Sequence, residues 1–145
     1  MVTLFISQQV TESRRKEAAF RKTEDYAKRH ADLMAERSGA LLRDRQTVEA
    51  KLEEDERTRT GGMSLLYAYV RTESMATEVV QFTQPYEPAA MLLSPSLSTV
   101  KQCFTIVYEA VGTPSVSVNL TSHGEDVSCV RIADELNEAV PPSSG

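Results

Sequence analysis

The stretch over residues 12–59 contains no proline and a single glycine, and this restricts the possible fold more than any other feature of the sequence. It is rich in Ala, Glu, Lys, Arg, Leu and Gln, the residues with the highest helix propensities. Thr11 or Ser13 can cap a helix start, and the Gly-Gly pair at 61–62 can end a helix. We therefore predict one long helix over residues 11–60, about 70 Å in length at 1.5 Å per residue.

An apolar heptad pattern runs along this predicted helix. A helix of such length is unusual in a globular domain and typically needs a partner helix. One core layer recurs every seven residues and is apolar, whereas the second layer, four residues further on, includes polar and charged side chains. The pattern predicts a coiled coil with a weaker seam than one built from Ile and Leu. The predicted oligomer interface consists of Phe20, Ala27, Ala31, Met34, Leu41, Val48 and Leu52.

Three partners for the helix fit this pattern. A second copy of the chain would form a homodimer, and a related coiled-coil chain could complement the charged core positions Glu24 and Arg45. Alternatively, part of the helix could fold back onto its own chain through Leu33, Leu41 and Leu42.

The charges divide the chain into two halves. Residues 1–62 contain 13 basic and 12 acidic side chains, whereas residues 63–145 contain 3 basic and 9 acidic ones. Neutralisation of phosphates supplies most of the non-specific affinity of proteins for nucleic acids. We therefore do not expect direct DNA or RNA binding by the acidic part, whose residues 63–140 are called the head.

Alternation of apolar residues and turn signals predict the elements of the head. Two strands of a hairpin are expected first, then an amphipathic helix that starts at Ser94-Pro95, and then a second hairpin with a short helix after it. The predicted elements are strands at 64–70 and 77–82, a helix at 95–111, strands at 116–121 and 127–132, and a helix at 134–138.

The predicted fold class is α+β, a long N-terminal coiled-coil helix followed by a small α/β head of order β-β-α-β-β with room for a short terminal helix. Residues 1–10 form a strand-like segment that could add to the sheet of its own or a neighbouring chain, and residues 141–145 form a tail. A head of about 80 residues has a marginal core, so oligomerisation would help to stabilise it.

The cysteines and the hydropathy predict the compartment. Cys103 and Cys129 both lie within apolar patterns, and two thiols in a chain of this length do not indicate a disulfide framework. We expect both to be buried and reduced. No apolar run approaches the roughly 20 residues that a bilayer span needs, and the first residues lack the pattern of a secretory signal. These observations predict an intracellular protein, of cytoplasm or nucleus, without a membrane partner.

No catalytic or cofactor motif is present in the sequence. Gly-rich phosphate loops and the HExxH, GxSxG and CxxC patterns are all missing. His123 and Cys129 could supply two metal ligands, but a tetrahedral zinc site needs two more, and a turn histidine is the simpler interpretation. We predict no catalytic residue, no bound metal and no cofactor.

The sequence favours a non-enzymatic assembly or scaffold protein. The coiled coil would set the oligomeric state, and the acidic head would bind other proteins. The layout of a coiled coil followed by a compact α/β head resembles that of RWD-type kinetochore subunits. A small acidic dimeric chaperone or adaptor that binds a client peptide along a sheet edge is the further alternative.

Overall fold

A computed structural model describes residues 2–59, 61–87, 98–125 and 127–139 of the chain, with side chains from residue 13 onward. Eight elements follow one another in these ranges. In chain order they are α1 (Val2–Glu36), α2 (Ser38–Leu41), α3 (Arg45–Glu56), β1 (Met63–Arg71), β2 (Met75–Tyr86), β3 (Ser98–Glu109), β4 (Ser117–Ser122) and α4 (Cys129–Ala139).

The four strands form one antiparallel sheet in the order β1-β2-β3-β4. β2 and β3 are the central strands and pair along their full length of 12 residues each. β1 and β4 are the edges. A β-bulge between Leu66 and Ala68 shifts the register of β1 against β2. The bulge re-aims the second half of β1, so that Ala68 packs in one cluster with Val79.

The main core lies between the sheet and the N-terminal helices. α1 lies across β2, β3 and β4, while α3 lies against β1. Alternate side chains of the central strands point into this layer, among them Phe82, Phe104 and Ile106, which are fully buried. The two phenylalanine rings meet edge to face, with their centroids 5.8 Å apart. This side of the sheet is called the helical face.

Most of the predicted coiled-coil seam belongs to this core. Leu41 packs at the border of the core, and Phe20 is partly exposed. The structure therefore shows the packing alternative in which the helix folds onto its own head. A coiled coil through the same residues would require α1 and α3 to leave the sheet, and oligomerisation remains a prediction. The seam residues buried in the core are Ala27, Ala31, Met34, Val48 and Leu52.

The prediction of one continuous helix over residues 11–60 is wrong. α1 ends at Glu36, and α3 begins at Arg45 with Asp44 as its N-cap. The Asp44 side chain accepts hydrogen bonds from the amide and the hydroxyl of Thr47, both at 2.8 Å. The bond from the Thr47 amide is the main reason why the pKa of Asp44 lies below its usual value. This cap starts a new helix, which runs against β1 instead of extending the rod.

α4 covers part of the opposite side of the sheet, called the second face. Its buried residues Cys129 and Ala133 pack on Ala68 and Val79. Cys129 forms a disulfide with Cys103 of β3, which lies 26 residues earlier in the chain. The expectation of two reduced thiols is therefore wrong. The two residues meet only because α4 folds back over β3, which spacing along the chain does not reveal.

The clearest error of the sequence prediction concerns β3. Ser98–Glu109 is a strand, where the apolar spacing predicts a helix over 95–111. Both faces of β3 are covered, one by α1 and the other by α4. Apolar residues therefore occupy both alternating sets and imitate helical spacing. The expected helix start at Ser94-Pro95 lies outside the described residues.

Two further predictions are wrong at the ends of the chain. α4 begins at Cys129, so the expected hairpin strand at 127–132 is largely helical. The first residues belong to α1, which starts at Val2, and not to a strand over 1–10. Short apolar runs fit a helix and a strand equally well, so the local pattern does not distinguish the two.

Three predicted strands are confirmed. The patterns at 64–70, 77–82 and 116–121 correspond to β1, β2 and β4, and the first two pair as the expected hairpin. The tail at 141–145 lies outside the described residues. Within the described ranges, no helix combines the length and the hydropathy needed to cross a membrane.

Candidate functional site

A groove runs between the outer edge of β1 and the side of α3, and it is called the edge groove. Leu52 of α3 and Leu66 of β1 are buried at its base. The groove exists because the helix break at Asp44 directs α3 along β1 and leaves a channel of about 440 Å³ between them. Its lining consists of Arg45, Glu49, Leu52, Glu53, Glu56, Ser64, Leu65 and Leu66.

Two side chains of α3 bond the backbone of β1 at this edge. Glu56 Oε1 accepts hydrogen bonds from the amide and the hydroxyl of Ser64, at 2.6 and 3.0 Å. The Arg45 guanidinium donates to the carbonyl oxygen of Leu66 at 3.0 Å. An uncovered edge strand presents such N–H and C=O groups to any chain that can pair with it. Glu56 and Arg45 therefore occupy backbone positions that an added strand would use.

The lining of the edge groove is net acidic. Arg45 is its basic side chain, against Glu49, Glu53 and Glu56. Arg45 also bonds Glu49 at 2.7 Å, and both side chains are about half exposed. An exposed ion pair of this kind contributes about 0–1 kcal/mol, so a competing ligand can replace it at small cost. The groove thus favours a ligand that carries positive charge.

Exposed apolar side chains lie on the same strand as the groove. Met63 is 61% exposed and Leu65 is 55% exposed. Both alternate with Ser64 along β1, so they share one side of the strand. Single exposed apolar residues are ordinary, but two neighbours beside an open strand edge offer a partner a continuous contact.

A row of buried polar contacts joins α1 to the helical face. The Thr23 hydroxyl lies 3.0 Å from Gln102 Oε1, and His30 Nε2 lies 2.9 Å from Glu78 Oε2. The Tyr108 hydroxyl also donates to Glu78. Burial and the neighbouring Glu78 charge raise the pKa of Tyr108 well above its usual value, so it remains a donor. Buried polar groups require such partners, and these bonds fix where α1 lies on the sheet.

Tyr69 links β1 to the turn before α3. Its hydroxyl donates to the carbonyl oxygen of Leu42, which also accepts from Arg71 at 3.1 Å. Burial raises the pKa of Tyr69 to about 12. The carbonyl oxygens at the end of a helix have no partner within that helix. These two side chains therefore stabilise the helix break that creates the groove.

Phe20, the first residue of the predicted interface, lies apart from the other members. It lines a shallow depression beside Lys16 and Glu125. Lys16 Nζ is 3.0 Å from Glu125 Oε1, and both side chains are partly exposed. The structure brings five predicted interface residues together in the core, but it does not place Phe20 or Leu41 fully within it.

His123 and Cys129, the pair weighed as metal ligands, have other partners. His123 Nε2 lies 2.7 Å from the Thr105 hydroxyl, and burial lowers the pKa of His123. Cys129 is bonded to Cys103 and is not a free thiolate. In the part of the chain that the structure describes, no three His, Cys, Asp or Glu side chains are arranged to hold a metal ion.

Comparisons with protein-family models, curated proteins and solved structures found no match to this chain.

Sequence reasoning missed most of this groove. The heptad pattern marks Arg45 only as a charged core position of a coiled coil, and it does not indicate a role for Glu56 or Ser64. One local signal could have indicated the groove. Asp44 is a residue type favoured at the N-cap, and it marks the break that brings α3 beside β1.

Proposed function

We propose that this chain is a non-enzymatic interaction protein that binds an extended, basic segment of a partner protein along β1, in the edge groove. The observation that carries the proposal is that Glu56 accepts a hydrogen bond from the Ser64 amide of β1 while Arg45 donates one to the Leu66 carbonyl oxygen. The side chains of Glu56 and Arg45 occupy backbone hydrogen-bonding positions of β1 that an additional strand would use, and they can rotate away. Addition of a peptide strand to a sheet edge is a recurring mode of recognition.

Binding would exchange one set of contacts for another. The peptide backbone pairs with Ser64 and Leu66, and the released Glu56 joins Glu49 and Glu53 in contact with basic side chains of the peptide. Because side chains of a strand alternate, every second residue of the peptide faces the groove base. Backbone pairing supplies affinity, and the acidic lining selects the charge of the peptide.

The test is a binding titration of the full chain with two short fluorescent peptides of identical length. One alternates lysine with valine, and the other alternates glutamate with valine. We expect the lysine peptide to bind and the glutamate peptide not to bind. In ¹H–¹⁵N spectra, the largest shifts should fall on the amides of Ser64, Leu65 and Leu66. Shifts confined to other surfaces would overturn the proposal.

Two matched variants sharpen this test. Glu53→Lys reverses a charge inside the groove, whereas Glu54→Lys places the same change on the neighbouring residue, which does not line the groove. Both glutamates are exposed, so the fold should tolerate either change. We expect Glu53→Lys to weaken binding of the lysine peptide by about fivefold or more, equivalent to about 1 kcal/mol. Equal effects of the two variants would mean that only net charge matters.

This proposal develops the adaptor alternative predicted from the sequence. The assembly hypothesis now needs another surface, because five of its seven interface residues are in the core. The comparisons found no match and so add no support to the kinetochore-type alternative.

The disulfide indicates the type of cellular compartment in which the protein would bind its partner. The Cys103–Cys129 bond favours an oxidising compartment, because the cytosol and nucleus keep most thiols reduced. We therefore propose such a compartment in place of the expected intracellular location. Blocking free thiols at the moment of cell lysis would test this, and a chain recovered from its native cells with two alkylated cysteines would refute it.

A further inference from the structure

A small cavity lies between α1 and the C-terminal end of α3. Its volume is about 80 Å³. A water molecule occupies about 30 Å³ in the liquid, so the cavity has room for a small polyatomic ion. The residues that line it are Tyr26, Arg29, His30, Leu33, Asp55, Thr58 and Arg59.

Two of these residues carry a buried nitrogen without a hydrogen-bond partner among the described residues. They are Nδ1 of His30 and Nη1 of Arg59. The His30 side chain is 1% exposed, and its other ring nitrogen is held by Glu78 at 2.9 Å. Buried polar atoms of native proteins almost always have a partner. Two orphan nitrogens beside one cavity therefore indicate that something occupies it.

The chemistry of the two nitrogens defines the occupant. His30 Nε2 and Glu78 Oε2 share a hydrogen bond in the core, where a net charge without compensation is costly. The His30–Glu78 pair is neutral as a whole only when Nδ1 of His30 carries a proton, whichever partner holds the proton of the shared hydrogen bond. A guanidinium nitrogen is always a donor. Both orphan atoms are thus donors, and the missing group is an acceptor.

The surroundings hold Arg59 in place and supply positive charge. Its guanidinium carbon lies 5.0 Å from the ring centroid of Tyr26 and 5.1 Å from that of Phe82. Arg29 adds a second guanidinium to the lining. The carboxylates of Asp55 and Glu56 also act on the Arg59 guanidinium. The Asp55 carboxylate is shared with Lys51, whose Nζ lies 3.5 Å from it.

We propose that this cavity binds a small oxyanion, a phosphate or a carboxylate group, which accepts hydrogen bonds from His30 Nδ1 and Arg59 Nη1. Two donors that face one acceptor, one of them a guanidinium, are a usual basis of oxyanion recognition. The bound anion would join α1 to the end of α3 and would stabilise the packing of both helices on the sheet.

The first test is a thermal-shift and calorimetric titration of the full chain with inorganic phosphate and, separately, with acetate. Sodium chloride at equal ionic strength is the control for screening. We expect phosphate or acetate to raise the melting temperature beyond the chloride control, and the stronger of the two identifies the natural chemistry. If neither anion exceeds chloride, the cavity holds water only and the proposal is overturned.

Matched variants locate the effect. Arg59→Gln should weaken anion binding by about tenfold or more, the loss typical of one charge-assisted hydrogen bond. Arg57→Gln removes the same charge from an exposed neighbour outside the cavity and should leave binding unchanged. An Arg59→Gln protein that binds as tightly as the wild type would refute the site. Glu53→Lys should also bind the anion normally, which separates this proposal from the one on the edge groove.

A direct readout does not depend on the folding of any cavity variant. The chain has only two histidines, His30 and His123. In a His123→Gln background, the ring ¹⁵N signals therefore belong to His30 alone. Phosphate or acetate should shift the Nδ1 signal and leave Nε2, which Glu78 holds, nearly unchanged. Equal shifts of both nitrogens, or of neither, would exclude an anion at this position.

Discussion

Ala27 distinguishes a helix packed on its own sheet from a helix in a coiled-coil seam, because the two arrangements predict opposite effects of one substitution. Ala27 is fully buried against the sheet. Replacing it by leucine adds three carbon atoms to a filled core, which typically destabilises a protein by about 1–3 kcal/mol. In a coiled coil, leucine at the same heptad position improves packing and stabilises the oligomer. We therefore expect Ala27→Leu to lower the free energy of unfolding by about 2 kcal/mol.

Urea denaturation at two widely different protein concentrations measures the sign of the change in unfolding free energy and shows whether the folded state contains one chain or several. For a chain of this size, about 2 kcal/mol corresponds to a decrease in melting temperature of about 4–8 °C. Ala18→Leu is the matched control, since Ala18 lies on the same helix but is exposed, and its effect should stay within about 0.5 kcal/mol. An Ala27→Leu protein that gains stability, with a midpoint that rises with concentration, would refute the intramolecular packing and restore the coiled coil.

Three further predictions concern the disulfide, a histidine and the buried carboxylate. Reduction of the disulfide between Cys103 and Cys129 should lower the free energy of unfolding by about 3 kcal/mol, because the disulfide closes a loop between residues 26 positions apart. Two titratable thiols in the native protein before reduction would contradict this. Burial lowers the pKa of His123 from 6.5, so the unfolded chain binds more protons and the free energy of unfolding falls as the pH decreases below about 6.5. The His123→Gln variant should show a smaller decrease of the urea midpoint between about pH 7 and pH 5. A decrease equal to that of the wild type would argue against this effect. Tyr108→Phe should cost about 1–3 kcal/mol in urea unfolding because Glu78 loses a buried donor, and a cost near zero would mean that the bond contributes little.

Local sequence signals predicted the elements whose environment is simple. β1 and β2 form a hairpin of β-branched and aromatic residues, and the pairing of neighbouring strands needs only a short turn. The helical character of residues 13–36 follows from composition alone. In these segments, propensity and tertiary contacts favour the same structure, so sequence reasoning is sufficient.

β3 could not be predicted in this way, because it is covered on both faces. Val100, Phe104 and Ile106 belong to the helical face, whereas Cys103 packs beneath α4. A strand apolar on both faces has no alternation, and its residues also satisfy the three- and four-residue spacing of a helix. The helices on both sides of the sheet make residues 98–109 a strand and not a helix, and their position is a property of the whole fold.

The heptad pattern shows the same ambiguity at the level of packing. A stripe of small and apolar residues at positions 27, 31 and 34 fits a partner helix and a flat sheet equally well, since both contact a single face of the helix. His30 lies on this stripe and is buried against Glu78. A buried polar residue there needs one specific partner, which the sheet supplies. The residue that least suits a simple apolar seam is thus explained by the sheet.

The candidate site depends on the second of two helix breaks, the one between α2 and α3. If the helix continued past Leu42, residues 45–56 would extend away from β1, and the strand edge would lie open. The Asp44 cap starts α3 in a new direction, and Tyr69 and Arg71 bind the Leu42 carbonyl on the other side of the break. The break therefore does two things at once: it covers the edge of β1 with replaceable side chains, and it surrounds that edge with glutamates. Both features follow from where one helix begins, and a prediction of one continuous helix over residues 11–60 therefore could not contain the edge groove.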